Sequence, residues 1–477
     1  MNRNNNILAS VLLAGVVIYS SCKIPQLASM PKSKQAPVSY SGQSDSAVQT
    51  LASCKEFFKD TNLIRLIDTA LANNQELSIA QQEIAMAKND ILVSKSRLLP
   101  RAEAGGGIGM EKVGRYTSQG AGDASTDITP GKPVPDWLPD FRGGIYATWE
   151  ADIWKKLRNS KKAAVNRYLA TVEGRNFITT NLVAEIANGY YELKALDNQM
   201  QIVRQTIQLQ KNALDIVKIQ KQAGAATDLA VKKFEADVLS SETMEKDILQ
   251  RTKAKENELN FLLGRYPQPI PRDTTALLKL TPNKIQTGIP SQLLSNRPDI
   301  KQAELQLQAA KLDVQVAKAE FYPSLQLSSS FGFQAFTPGY LVKLPESLLA
   351  SLAGDLAGPL INKAAIKAEY ANANARQIQA LYEYDRSVLN AYTEVSTELS
   401  NIQYNEDIFQ LKQRETDTLM ASITISGDLF RSARADYLEV LLTQRDALDA
   451  KLELVEIRLR QFATITNLYR ALGGGWK

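Results

Sequence analysis

A run of regularly spaced, mostly apolar residues between Val183 and Gly264 constrains the fold more than any other feature of this 477-residue chain. Its members follow one another at alternating steps of three and four residues: Leu193, Leu196, Met200, Val203, Ile207, Gln210, Leu214 and Val217. This spacing is typical of a coiled-coil seam. A second stripe recurs every seven residues, at Ile202, Leu209 and Ile216. A helix with two apolar flanks needs two neighbours, so we expect a wall of helices and not an isolated pair.

The helix that carries this seam is unusually long. If Leu157 to Gln222 is helical throughout, it spans roughly 100 Å at about 1.5 Å per residue, more than the width of a globular domain. A break at Ala223-Gly224-Ala225 separates it from a second long helix. Near the end of the chain the same periodicity returns, with Leu441, Leu448, Val455 and Phe462 seven residues apart. The sequence therefore predicts long helical hairpins.

The amino terminus has the features of an export signal. Arg3 precedes an apolar run from Ile7 to Tyr19, which ends in Ser20-Ser21-Cys22. A cysteine directly after two small residues resembles a lipobox, in which Cys22 carries the lipid, palmitate among its acyl chains, and becomes the first mature residue. The alternative is a generic signal peptide with an incidental cysteine. Only Cys54 remains besides, so no disulfide framework is predicted.

The chain is an internal repeat. At an offset of 223 residues, Ala80 falls on Ala303 and Pro100 on Pro323; at an offset of 209, Leu229 falls on Leu438 and Gly264 on Gly473. The predicted organisation is a signal peptide (1–21), a lipid-anchored arm (22–60), a first repeat (61–264), a linker (265–290) and a second repeat (291–477).

Each repeat contains two segments in which apolar and polar residues alternate. They lie at about 101–112 and 141–150 in the first repeat, and at about 324–335 and 347–356 in the second. Segments of about ten residues with one apolar and one polar face are typical of transmembrane barrel strands. A small soluble sandwich would show the same period. Four strands cannot close in lipid without unpaired edges, so a barrel requires several chains.

Composition argues against catalysis and nucleic-acid binding. The chain has no histidine, which excludes imidazole chemistry and most zinc sites, and we expect no metal and no cofactor. Its net charge of +5 is spread along the helices without a dense basic block, so no nucleic acid is expected as a partner. The predicted fold class is α+β, and the protein is not expected to be an enzyme.

Four stretches resemble the TolC-like outer-membrane efflux channels, in particular the lipoprotein branch that serves RND-type pumps. They are the segments 289–300 (Ile-Pro-Ser-Gln-Leu-Leu-Ser-Asn-Arg-Pro-Asp-Ile), 321–325 (Phe-Tyr-Pro-Ser-Leu), 435–440 (Ala-Asp-Tyr-Leu-Glu-Val) and 468–476 (Leu-Tyr-Arg-Ala-Leu-Gly-Gly-Gly-Trp). The resemblance covers nearly the whole mature chain and implies a homotrimer, in which four strands per chain complete a twelve-stranded transmembrane barrel.

The resemblance also implies a function and partners. The trimer would be a passive outer-membrane channel and periplasmic tunnel that exports drugs or other small toxic compounds. It would bind a periplasmic adaptor (membrane fusion) protein and, through it, an inner-membrane RND-type transporter, and it would contact outer-membrane lipid. Two alternatives stay open: the exit duct of a type I protein-secretion system, and a non-conducting periplasmic coiled-coil scaffold.

Candidate working residues lie at the two breaks between long helices. Gly224 and Thr227 form the first turn, and Arg434 and Asp436 the second; the residue patterns indicate helix turns and caps, and the resemblance adds docking of the adaptor. Glu439 follows Asp436 by three residues, the spacing of a capping partner. The family often has acidic rings here, and this chain has Glu439 at the first position and Leu442 at the second. Both are candidates for a periplasmic gate.

Overall fold

The computed structural model describes residues 24–31, 37, 52–273, 275–282, 290–359, 363–432 and 434–476. Cys22, the predicted lipidation site, lies outside these ranges. The helices are α1 Cys54–Phe57, α2 Thr61–Asn73, α3 Gln75–Ser96, α4 Ser118–Asp123, α5 Lys156–Gln222, α6 Asp228–Leu262, α7 Leu293–Asn296, α8 Pro298–Ala319, α9 Ala364–Arg431 and α10 Tyr437–Ala471. The strands are β1 Arg101–Glu111, β2 Asp127–Thr129, β3 Lys132–Pro133, β4 Leu138–Ala151, β5 Ser324–Ala335 and β6 Leu348–Ala357.

The chain divides into two compact units. Unit 1 consists of the described parts of Met1–Lys32, Met86–Tyr168 and Leu305–Leu381, and unit 2 of those of Ser33–Ala85, Leu169–Glu304 and Tyr382–Lys477. The two longest helices, α5 with 67 residues and α9 with 68, contribute to both units. None of the described helices combines the length and the hydrophobicity that a membrane-spanning helix requires.

Unit 1 is built on a four-stranded antiparallel sheet in the order β1-β4-β5-β6. Its register places Glu103 opposite Tyr146, Tyr146 opposite Ser330, and Ser330 opposite Ser351. Because successive side chains alternate between the two faces of a sheet, this register assigns every strand residue to one face. All charged residues of these four strands fall on the same face: Arg101, Glu103, Glu111, Asp140, Arg142, Glu150 and Asp355. The other face carries none.

A row of three glycines crosses the charged face of the sheet. Gly105 pairs with Gly144, and Gly144 pairs with Gly332. A Cβ atom placed on Gly332 would lie 2.5 Å from the Cα of Gly144, and one on Gly144 would lie 2.7 Å from the Cα of Gly332. The backbones of β4 and β5 therefore approach so closely at this point that only glycine fits.

The segment between the first two predicted strands, from Glu111 to Asp140, is partly ordered into helix and hairpin. It holds α4 and the short β2–β3 hairpin, and β4 begins at Leu138, three residues before the predicted strand at 141. Thr117 caps α4 by accepting a hydrogen bond from the Gly120 amide at 3.1 Å. Such local capping needs only one hydroxyl and leaves no periodic pattern in so short a segment.

Unit 2 buries the seam that the sequence predicts. Leu193, Leu196 and Val203 are almost completely inaccessible, and Leu448, Val455 and Phe462 of α10 belong to the same core. The second stripe behaves differently, since Leu209 and Ile216 are exposed. One flank of α5 is thus covered within the chain, and the other is buried at Ile202 but exposed at Leu209 and Ile216.

Candidate functional site at the helical turns

The turn between α5 and α6 is closed by glycine and threonine. Gly224 has φ +74°, a left-handed conformation that ends a helix at low cost only in glycine. The amide of Ala225 donates to the carbonyl of Gln220 at 2.8 Å, which satisfies one of the last carbonyls of α5. Thr227 then caps α6, because its Oγ1 accepts from the amide of Ala230 at 3.2 Å. Both predicted turn residues have the expected local roles.

The turn between α9 and α10 repeats this geometry. The amide of Arg434 donates to the carbonyl of Leu429 at 2.8 Å, as that of Ala225 does to Gln220. Asp436 caps α10 with a carboxylate that accepts from the amide of Tyr437 at 2.6 Å. The sequence predicts that the Glu439 side chain accepts in return from the Asp436 amide. This prediction is wrong, because no such hydrogen bond occurs among the described residues. Asp436 turns toward the adjacent amide instead, and Glu439 stays exposed.

The two turns meet in one apolar cluster, which we call the turn cluster. Its members are contributed by α5, α6 and the ends of α9 and α10: Leu214, Val217, Ala230, Val231, Phe234, Val238 and Leu441, with Ala213, Ala226, Phe430 and Tyr437 against them. Phe234 is almost fully buried at its centre. Burial of an aromatic ring of this kind contributes about 1.5–3 kcal/mol. The cluster fixes the two turns relative to each other within unit 2.

The residues that face away from the turn cluster are the gate candidates. Leu442 is 40% exposed and Leu438 is 48% exposed, although Val440 and Leu441 between them are buried. The Glu439 carboxylate has no ion pair or hydrogen bond within the described ranges. The first turn is neutralised locally, because Lys221 binds Asp228 and lowers the pKa of that carboxyl. Glu439 thus presents an unpaired negative charge beside an exposed leucine.

One polar pair interrupts the seam of α5 one helical turn before the turn cluster begins. Gln210 is 2% exposed, and its Nε2 donates to the Asp237 carboxylate at 2.9 Å. Burial raises the pKa of Asp237 despite this hydrogen bond and the nearby charge of Arg445. The Gln210 Oε1 has no partner among the described residues. The sequence places Gln210 in the seam, but its partner lies 27 residues away on another helix and leaves no local signal.

Arg297 is a structural residue whose role the sequence does not reveal. It is 4% exposed and lies in the segment Asn296-Arg-Pro-Asp-Ile300. Its guanidinium donates to Glu394 at 2.7 Å, to Asp299 at 2.8 Å and to the carbonyl of Ala471 at 2.9 Å. It therefore ties the start of α8 to α9 and to the last residue of α10.

The described residues contain no group of three or more side chains that could hold a metal ion. The turns offer an exposed surface with an unpaired carboxylate and apolar side chains. This chemistry suits docking or the narrowing of a passage.

Comparison with known proteins gives the family. A sequence profile described as outer membrane efflux protein matches residues 66–265 and 289–474. The chain is 29% identical over 420 residues to the pyoverdine export outer membrane protein OpmQ of Pseudomonas aeruginosa, covering 88% of this chain and 86% of OpmQ. It is 26% identical over 475 residues to the solvent efflux pump outer membrane protein SrpC of Pseudomonas putida, covering 98% of this chain and 97% of SrpC.

A crystal structure of CusC shares the fold, with a TM-score of 0.81, 24% identity, and coverage of 95% of this chain and 100% of that one. The resemblance to TolC-like channels is thereby confirmed. Proteins of this family act in the outer membrane and are not enzymes. The profile covers most of the chain in two consecutive matches, and the chain therefore belongs to the outer membrane efflux protein family.

Proposed function

We propose that three copies of the chain form one passive channel through the outer membrane, continued by a helical tunnel in the periplasm. The observation that carries the proposal is the sorting of charge on the sheet of unit 1. All of its charged strand residues share one face, and the opposite face carries exposed apolar residues such as Ile108, Phe331 and Leu352. A sheet of this kind suits lipid on one side and water on the other.

The edges of the sheet support a shared barrel. β1 pairs only with β4, and β6 only with β5, so each edge strand has a free side within the described residues. In lipid, every unpaired backbone group would cost several kcal/mol. Pairing of β1 with β6 of the next copy would remove both edges, and three copies would supply twelve strands.

The exposed second stripe of α5 supports the same stoichiometry. Leu209 and Ile216 are exposed and belong to none of the buried clusters of the described residues, although they continue the seven-residue repeat of the buried Ile202. A neighbouring copy would cover them. Each chain then contributes two hairpins to a closed wall of helices, which would be the periplasmic tunnel.

Helices of equal length and matching contacts in the two halves of the chain support an origin by duplication. α3 and α8 each have 22 residues and begin 223 positions apart; α6 and α10 each have 35 and begin 209 apart. The contacts repeat at the same offsets. The Asn74 side chain donates to the carbonyl of Leu262 at 2.9 Å, as Arg297 does to Ala471. We accordingly assign repeats 61–264 and 291–477, joined by the linker 265–290.

The amino terminus completes the proposed organisation. Residues 1–21 would be removed as a signal peptide, and Cys22 would carry the lipid at the head of the arm 22–60. Two or more acyl chains anchor a protein stably, whereas one gives only marginal binding. The lipid would hold the mature chain in the inner leaflet of the outer membrane.

The helical turns would form the periplasmic entrance. In a threefold channel, Glu439 and Leu442 would form a ring of carboxylates and a ring of leucines, and both kinds of ring can restrict passage. A periplasmic adaptor would dock on the two turns, at Gly224, Thr227, Arg434 and Asp436. The entrance would exchange between a closed and an open state, and adaptor contacts that favour the open state would shift this equilibrium toward it. An inner-membrane RND-type transporter would deliver the cargo.

The cargo would be a small toxic compound, in line with the export and efflux functions in the names of OpmQ and SrpC. The exit duct of a type I secretion system would need an ATP-driven partner, and a coiled-coil scaffold would have no pore. Reconstitution in planar bilayers tests the proposal. We expect heat-resistant trimers that conduct ions; a monomer without conductance would contradict it.

Glu439→Ala and Glu439→Gln test the entrance. Both remove the charge and leave the turn cluster untouched, so we expect intact trimers with increased conductance. Glu456→Gln, at another exposed carboxylate of α10, is the control and should leave conductance unchanged. Unchanged conductance in both Glu439 variants would exclude a gating role for this side chain.

A photo-crosslinking residue at Arg434 tests docking in cells. We expect capture of an adaptor protein at this position and none from Lys246, an exposed residue within α6. Co-purification of an RND-type transporter would identify the pathway, and an ATP-driven transporter would favour protein secretion.

A further inference from the structure

The described part of the amino-terminal arm is seated on unit 1. Ile24 and Leu27 pack against a buried cluster of Ala317, Phe321, Tyr370 and Ala373. Nδ2 of Asn374 donates to the carbonyl of Ala28 at 3.3 Å. Met30, by contrast, is exposed. Two apolar anchors and a hydrogen bond from a side chain to the arm's backbone thus hold the arm against α8 and α9.

A cavity of about 330 Å³ lies in the same unit, at the ends of β4, β5 and β6 where the strands lead into helices. One part of its lining is apolar, with Ile153, Trp154, Tyr322 and Ile366, and another part carries the charged side chains of Glu150, Asp152, Lys156 and Glu320. The rings of Trp154 and Tyr322 stack with their centroids 4.6 Å apart. Nε1 of Trp154 donates to the carbonyl of Pro323 at 2.7 Å, so the polar edge of the indole is satisfied while 45% of the residue stays exposed.

The seat of the arm and the cavity share residues. Ile366 packs against the cluster that holds Ile24, and it also lines the cavity. Phe321 of the seat directly precedes Tyr322 of the cavity. Cys22 is two residues before Ile24, a distance of at most about 7 Å along an extended chain. An acyl chain attached to Cys22 would therefore be within reach of the cavity.

We propose that the cavity holds an acyl chain attached to Cys22, and that Ile24 and Leu27 are the anchors that keep it there. This rests on the proposed lipidation of Cys22. The apolar part of the cavity offers two aromatic side chains and two isoleucines to a hydrocarbon chain, whose removal from water is favourable. Of the charged lining residues, Glu150 and Lys156 neutralise each other in an ion pair of 2.7 Å. The lipid is then a structural part of the folded chain as well as a membrane anchor.

The experiment uses the full-length lipoprotein, labelled in growing cells with an alkyne-bearing fatty acid. A photo-crosslinking residue replaces Tyr322, and in the control it replaces Tyr340, which lines no part of this cavity. We expect a crosslink between the peptide containing position 322 and the acylated amino-terminal peptide of the same chain, and none from position 340. Crosslinks from position 322 to phospholipid alone would overturn the proposal.

A second pair of variants tests the anchors. Ile24→Asp combined with Leu27→Asp puts two carboxylates against an apolar seat, so the crosslink should fall by about tenfold or more. Met30→Asp, on the exposed side of the same arm, should leave it unchanged. An unchanged yield in the double variant would contradict the role of the anchors. The mass of the amino-terminal peptide and the bilayer conductance are measured in parallel: a conducting trimer without lipid overturns this proposal alone, and a lipidated chain without conductance overturns only the channel.

Discussion

Gly332→Ala is expected to prevent correct closure of the sheet of unit 1. The added Cβ would lie 2.3 Å from the carbonyl oxygen of Gly143 and 2.5 Å from the Cα of Gly144. Both contacts are with backbone atoms of the neighbouring strand, which no side-chain rotation can relieve. β4 and β5 would have to separate by several tenths of an ångström or more at the centre of the sheet.

The free energy lost through the Gly332→Ala clash has a lower and an upper bound. Overpacking a well-ordered interior costs typically 1–3 kcal/mol, and a clash with backbone atoms of the neighbouring strand belongs at the upper end. In the proposed barrel the same clash occurs once in each copy. Three copies would together lose about 3–9 kcal/mol, because the substitution acts on each chain. A loss of this size is large compared with the stability of an ordinary domain.

Resistance of the trimer to heat in detergent measures the effect. Gly105→Ala is the matched control, since Gly105 lies in the same row of glycines but its added Cβ would be 3.6 Å from the Tyr146 ring, an ordinary contact. We expect Gly105→Ala trimers to dissociate at nearly the wild-type temperature, and Gly332→Ala chains to give few trimers or trimers that dissociate well below it. Equal dissociation temperatures for the two variants would refute the argument from close strand approach.

Three further predictions concern unit 2. Arg297→Met removes a buried guanidinium that pairs with both Asp299 and Glu394, although Glu394 keeps its second partner Arg470, and it should lower the free energy of unfolding by about 3–5 kcal/mol. Arg376→Ala breaks an exposed pair and should cost less than about 1 kcal/mol, so denaturant titration distinguishes the two variants. Gly224→Ala places a Cβ at φ +74° in open space, so the backbone strain alone, about 1–2 kcal/mol, should speed proteolysis at the first turn. Burial raises the pKa of Asp237 in the folded chain above its value in the unfolded chain. Protonation of Asp237 therefore stabilises the folded state at a pH below the unfolded-state pKa, and this stabilisation is lost as the pH rises through the folded-state pKa. Amides of α6 should therefore exchange hydrogen more readily at neutral than at mildly acidic pH, after correction for intrinsic rates, and Asp237→Asn should remove that dependence.

The long-range periodicities of the sequence predict much of the fold. The seam from Leu193 to Val217 is buried, and the break at Gly224 is a left-handed turn. Heptad spacing, strand alternation and helix caps are all set by residues close in sequence, which is why they can be recognised without coordinates.

Contacts between distant segments could not be predicted in this way. Nothing near Arg297 in the sequence indicates that it binds Glu394, and nothing near Gln210 indicates Asp237. The predicted capping role of Glu439 was wrong, because the spacing of three residues permits a reciprocal contact without requiring it. Its exposure beside Leu442 becomes apparent only after Leu441 is seen inside the turn cluster.

Disulfide crosslinking between the two edge strands tests the central claim most directly. In a Cys54→Ser background, Glu103→Cys on β1 and Ser351→Cys on β6 lie on the same charged face of the sheet but at its opposite edges. If three copies close one barrel, scanning neighbouring positions on β6 against position 103 should give covalent dimers and trimers after oxidation at the matching register, and pairs between β1 and β5 should give none. Monomers at every β1–β6 register, in protein that inserts into the outer membrane, would contradict the shared barrel.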